Sequence, residues 1–169
     1  IELGQRVIFS VYGNEYFTRT ELMTLVEEQR NQGLGRDYST VISNRLRDFY
    51  VDAGFKYVTI VPYVFEPRKY PERKIAFHIH EGVRVKIKSI LFDGNEAFQQ
   101  DELLKIFYKE ANVRILAGIY NEKMIEQAAQ TMISGIKNLG YLSAKIIAIK
   151  SEQVENNKKV LVTIFINEG

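Results

Sequence analysis

Apolar and polar residues alternate at Val7, Phe9 and Val11, and again at Ile90 and Phe92. A period of two marks a strand with one buried face, so both stretches are predicted strands. Each runs into a Gly-Asn pair, Gly13-Asn14 and Gly94-Asn95. Both residue types tolerate positive φ, and a tight turn accounts for these pairs better than a ligand loop does. The period then lengthens. Leu22, Leu25 and Val26 share one helical face, as do Leu103, Ile106 and Phe107. Thr18 with Glu21 reads as a capping box, with Phe17 stapled onto Leu22. The second stretch keeps Phe98, Glu102 and Leu103 but has Gln99, a poor cap.

A second helix is predicted after each of these, starting near Ser39 and near Asn121. Ile42, Leu46, Phe49, Tyr50 and Ala53 fall at helical spacing, and so do Ile125, Ala129, Met132, Ile133, Ile136 and Leu139. Gly54 and Gly140 follow, where a left-handed residue ends a helix. Two strands then close each stretch, at 57–65 and 74–80 and at 144–150 and 160–166. Polar loops at 66–73 and 151–158 join them.

The correspondences form a repeat. Gly13-Asn14-Glu15, Phe17, Glu21 and Leu22 return 81 residues later, Tyr38 returns as Tyr120 after 82, Gly54-Phe55 as Gly140-Tyr141 after 86, and Glu81-Gly82 as Glu168-Gly169 after 87. The offset grows by four between Tyr and Gly, about one helical turn. The second helix is therefore expected to be about one turn longer in the second copy. The fold class is α+β: two tandem βααββ modules, 1–82 and 83–169, each a three-stranded mixed sheet with two antiparallel helices on one face. The boundary is expected at 81–84. So short a connection, without a Ser-, Pro- or Gly-rich run, predicts a restricted angle between modules.

Composition narrows the chemistry. The chain of 169 residues is 46% hydrophobic and 26% charged, as in ordinary globular domains. It begins Ile1-Glu2-Leu3, with no initiator Met and no signal-peptide pattern, and reads as a piece of a longer, processed protein. A net charge of +2 with dispersed Lys and Arg gives no reason to expect nucleic acid. Absence of Cys excludes disulfides, Cys–zinc sites and thiol catalysis.

His78 and His80 share a strand face, but two histidines without a third ligand do not make a metal site. Gly33-Leu34-Gly35 lacks the rest of a dinucleotide fingerprint. Asp101-Glu102 and Glu27-Glu28 read as helix-surface acids. Arg68, Lys69, Arg73 and Lys74 read as a solvated basic loop. No nucleophile, base and orienting group come together, so no catalytic residue, cofactor or metal is assigned and the chain is not expected to be an enzyme.

The ordered set of Gly13-Asn14, Gly35 with Tyr38, Gly54-Phe55 and Glu81-Gly82, repeated as Gly94-Asn95, Gly118 with Tyr120, Gly140-Tyr141 and Glu168-Gly169, resembles the POTRA repeat. The resemblance covers nearly the whole chain. It implies a periplasmic scaffold preceding a C-terminal membrane β-barrel in an outer-membrane assembly protein of the BamA type or a two-partner secretion pore. It implies unfolded outer-membrane or secreted client polypeptides and accessory assembly proteins as partners, docked by β-augmentation. A purely structural spacer and a POTRA-like module of a cell-division protein are the alternatives; tandem copies argue against the latter.

If the last strand of a module pairs with its first, the second strand lies outermost. In the second copy that strand is Ala144, Lys145, Ile146, Ile147, Ala148, Ile149 and Lys150: apolar, without Pro, and guarded only by its two lysines. In the first copy Pro62 removes a donor. The docking edge is therefore expected on the second copy.

Overall fold

The computed structural model describes residues 6–33, 35, 37–66 and 72–169. The chain divides into two compact units, Ile1–Gly82 and Val83–Gly169. The first contains β1 (Arg6–Tyr12), α1 (Arg19–Asn31), α2 (Tyr38–Asp52), β2 (Thr59–Phe65) and β3 (Glu72–His80). The second contains β4 (Lys86–Asp93), α3 (Gln100–Glu110), α4 (Val113–Leu116), α5 (Glu122–Asn138), β5 (Lys145–Val154) and β6 (Lys159–Asn167).

The two sheets have one topology. In the first unit β1 runs parallel to β3, β2 runs antiparallel to it, and the order is β1-β3-β2. In the second, β4 is parallel and β5 antiparallel to β6, in the order β4-β6-β5. The last strand of each unit is thus central, and β2 and β5 are edges. Alternation decides which side chains meet the helices. Phe9, Val11, Ile75, Phe77 and Ile79 point to Leu22, Val26, Ile42, Leu46 and Tyr50 in one core. Ile90, Phe92, Val160, Val162 and Ile164 meet Leu103, Phe107, Ala129, Met132 and Ile136 in the other. These are the strand and helix faces that the periodicity predicts, except that Leu139 follows the end of α5 and is exposed.

Several details differ from the sequence expectations. Ser39 does not cap α2: the helix begins at Tyr38, and the backbone carbonyl of Asp37 accepts from Thr40 and Val41. Asn121 does cap α5, accepting from the Met124 amide at 3.0 Å. The second helix gains two residues rather than a turn, 17 against 15. The remainder of the longer spacing is Tyr120 and Asn121, which precede α5. There the Tyr120 amide donates to Val85, and the Ile87 amide to Gly118, tying this segment to the start of β4. The four-residue α4, capped by Asn112, was not expected at all.

Residues 151–154 belong to β5, not to a loop. Glu155, Asn156 and Asn157 all have positive φ, 54°, 55° and 65°, and turn the hairpin within a few residues. Gln99 donates its backbone amide to Glu102 at 2.9 Å, so half of a capping box survives the poor cap residue. Thr18 and Glu21 make the whole box.

Candidate functional site

The Gly-Asn turns are built alike. Gly13 has φ 80° and Gly94 φ 83°, and a Cβ at either would run into a backbone carbonyl oxygen, of Ile79 or of Ile166. Asn14 and Asn95 donate their side-chain amides to the carbonyls of Phe17 and Phe98, at 2.9 and 2.8 Å. The chain thereby exposes a run of backbone N–H groups, and a buried carboxylate receives them. Glu81 accepts from the amides of Glu15 and Tyr16 at 2.8 and 3.0 Å. Glu168 accepts from those of Glu96, Ala97 and Phe98. Both acids are under 10% exposed. A buried charge must be matched by donors, and here oriented backbone dipoles match it. Each clamp joins the end of the central strand to the turn after the first strand, from opposite ends of the module's sequence.

The copies differ in one donor. Tyr50, fully buried, donates its hydroxyl to Glu81 at 2.7 Å. The position 86 residues later is Ile136, which has no hydroxyl. Burial, and then the hydrogen bond to the carboxylate, push the Tyr50 hydroxyl far above the ordinary tyrosine range. A folded-state pKa above the unfolded value means that the contribution is fully present below about pH 10 and declines as the pH rises beyond it. Tyr50→Phe should cost about 1–2 kcal/mol near neutrality. That difference from the parent should shrink between about pH 9 and 11. Urea unfolding at several pH values checks both; a gap that stays constant or widens with pH overturns the assignment.

The second site feature is the edge. β5 is outermost, with Ile146 and Ile149 packed inward and Ile147 58% exposed. It is longer than expected, since Ala144 is buried just before it and the strand continues to Val154. It is also not regular. Ile146 pairs with Ile166 but Ala148 with Phe165, so Ile147 forms a β-bulge. The bulge explains why Ile146 and Ile149, three apart, both face inward, and it protects the edge in addition to Lys145 and Lys150. A groove of about 580 Å³ runs beside this edge, lined by Ile146 and Ile149 of β5 and by Glu126, Gln127, Gln130 and Thr131 of α5. In the first unit β2 is paired without a bulge, and Pro62 stands opposite Phe77. A proline inside a strand occupies a position whose N–H would face away from the ladder, so Pro62 marks the outward parity of β2.

Several of the other sequence candidates have structural partners. His78 lies between the rings of Tyr12 and Tyr63, at 5.3 and 4.7 Å. Among the described residues no group of three or more His, Asp or Glu could hold a metal. Glu27 pairs with Arg30 and Glu28 with Arg45 on the surface. Arg73 pairs with Glu66, whereas Arg68 and Lys69 lie outside the described residues. Gly54 and Gly140 end their helices with φ 98° and 107°. Phe55 is buried beneath the first clamp, and Tyr141 packs on Phe98 at 4.9 Å. The sequence reading passed over the role of Glu81 and Glu168, although their recurrence as an acid ending an apolar strand was visible. No helix among the described residues is long and apolar enough to cross a membrane.

Fold and clamp together define a tandem βααββ protein in which each mixed sheet is closed by its last strand and a buried glutamate. The chain belongs to the POTRA family, described as a surface antigen variable number repeat, whose model matches residues 85–169. Over 98% of its length it is 23% identical to the outer membrane protein assembly factor BamA of Buchnera aphidicola subsp. Acyrthosiphon pisum (strain APS), and it spans 26% of that protein. The fold is similar to that of Haemophilus influenzae BamA POTRA3–5, with TM-score 0.61 and 16% identity over 98% of this chain and 66% of that one. It is also similar to the N-terminal domain of Omp85 from the cyanobacterium Thermosynechococcus elongatus, with TM-score 0.53 and 18% identity over 99% of this chain and 63% of that one.

Proposed function

We propose that this chain is a non-catalytic, periplasmic polypeptide-binding scaffold of an outer-membrane protein assembly or secretion pore. In the full protein it would precede a membrane β-barrel and dock unfolded clients or accessory proteins by adding a strand to the β5 edge at Ala144–Lys150. The observation that carries this reading is the position of β5: outermost in its sheet, apolar, and bordered by an open groove. An edge strand offers unpaired N–H and C=O groups to an extended chain, with little demand on its sequence. The POTRA family and the similarity to BamA support the cellular setting. Beyond the bulge, the regular stretch from Ala148 to Val154 gives a client about seven residues to pair with.

The test uses the first copy as a template. Ile149 pairs with Ile164, as Pro62 pairs with Phe77. Ile149→Pro therefore places in the second copy a proline that the first copy already accommodates, and it deletes one outward donor. Proline at Ile147 would be less informative, since bulges tolerate it. The folded Ile149→Pro variant should bind a fluorescent, extended outer-membrane-derived peptide about tenfold more weakly in anisotropy titrations, the loss of roughly one or two main-chain hydrogen bonds. Unchanged affinity would refute docking on β5, and a parent that binds no such peptide would favour the spacer reading.

A further inference from the structure

We propose that the β5 edge pairs with the β5 edge of a second copy of this chain, antiparallel and about a two-fold axis at Ser151. The segment beyond the bulge is self-complementary. It reads Ala148-Ile149-Lys150-Ser151-Glu152-Gln153-Val154. Turned end for end about Ser151, it sets Lys150 of each copy opposite Glu152 of the other, with Ile149 opposite Gln153 and Ala148 opposite Val154. Lys150 and Glu152 share the outer face of the sheet, and both are exposed. In their own sheet they stand opposite Thr163 and Leu161, neither of them charged. Lys150 lies over the Phe165 ring at 5.0 Å, a contact that leaves its charge on the outer face. Among the described residues neither Lys150 nor Glu152 has an ion-pair partner. A second copy supplies both partners at once.

Backbone parity suits the pairing. Ile149 takes the position that Pro62 holds in β2, so its N–H and C=O, and those of Ser151 two residues on, point away from β6. Ser151 of each copy therefore exchanges both main-chain hydrogen bonds with Ser151 of the other. Lys150 and Glu152 then form the non-hydrogen-bonded pairs beside the axis, where Cα atoms are about 4.5 Å apart and side chains approach most closely. Charge also selects the register. Moving the axis by one residue opposes Lys150 to Lys150 or Glu152 to Glu152, and like charges directly opposite destabilise a sheet. Lys150 guards the edge against other chains, yet the glutamate two residues on matches it in this one arrangement. β2, Thr59–Phe65, has no charged residue with which to do the same. The product is a single sheet through two copies, β4-β6-β5 continued by β5-β6-β4, and an isologous contact of this kind closes on itself.

Sedimentation equilibrium of this chain over a range of concentrations tests the pairing. The interface is small, so the parent should show a weak monomer–dimer equilibrium with a midpoint on the order of 100 µM. Lys150→Glu sets Glu against Glu at both pairs, and Glu152→Lys sets Lys against Lys. Each side chain is exposed, so either variant stays folded, and each alone should dimerise about tenfold or more weakly. An equimolar mixture of the two variants should recover the parent's association as a heterodimer, because each then meets the opposite charge. The double variant Lys150→Glu with Glu152→Lys should recover it as a homodimer. A parent that stays monomeric up to about 1 mM, single variants that dimerise as the parent does, or a mixture that fails to recover overturns the proposal. The pairing shares with the proposed function only the position of β5 as an edge, and the two are read separately. A monomeric chain that binds extended peptide would overturn self-pairing alone, and a dimer that obeys the charge pattern but binds no peptide would support it while removing client docking.

Discussion

Glu168→Ala should destabilise the second module by about 3 kcal/mol, because three backbone amides lose a charged acceptor at once. The side chain is nearly buried, so water replaces it poorly. Each charge-assisted bond contributes about 1.5–3 kcal/mol, but bonds to one carboxylate are coupled and their values do not add. Glu168→Gln keeps one acceptor oxygen and turns an NH₂ group toward donors, so it should recover little, leaving a deficit of about 2 kcal/mol. Glu81→Ala should be comparable in the first module, where the Tyr50 hydroxyl is also left unpartnered. Residue-resolved hydrogen exchange is the measurement, since it assigns the loss to one module. Protection in β4–β6 that falls by less than about 0.5 kcal/mol would show that the carboxylate is not the latch described here.

Gly94→Ala should cost about 3 kcal/mol or more, with Gly13→Ala alike. Two penalties coincide. A left-handed conformation costs an L-residue roughly 1–2 kcal/mol. The new methyl also meets the Ile166 carbonyl oxygen, a backbone atom of the central strand, which cannot move without distorting its pairing with Ile146. Gly118→Ala is the internal control. Its φ is 73°, yet a Cβ there meets nothing within 4 Å. It should therefore show the conformational penalty alone, about 1–2 kcal/mol. In a module of this size each kcal/mol shifts Tm by roughly 4–8 °C, so the two variants should separate clearly in a thermal scan. Equal shifts for Gly94→Ala and Gly118→Ala would remove the collision with Ile166 from the account.

The sequence disclosed the modules through residues with local duties. Gly13, Gly54 and their counterparts recur because turns and helix ends need positive φ, a demand that one residue expresses by itself. Phe9, Leu22 and Ile42 declared their faces through periodicity. What stayed hidden depends on two distant segments at once. The bulge at Ile147 is a property of the register between β5 and β6, and the sequence Ile146-Ile147-Ala148-Ile149 shows only that all four are β-prone. The backbone-amide contacts of Glu81 and Glu168 join residues 65 to 72 apart, beyond the reach of any periodic pattern.

Placing the last strand in the middle has a consequence for biogenesis. Synthesis delivers the chain from its N-terminus, and the first two strands of a module emerge with no partner between them. Neither sheet can assemble until its final strand arrives, and neither latch can close until the glutamate at the end of that strand is out. Such non-local closure is slow compared with helix formation, so a module in transit stays open and threadable until its synthesis is complete. Loss of a few residues from the end of a module would then remove the centre of its sheet rather than a fringe.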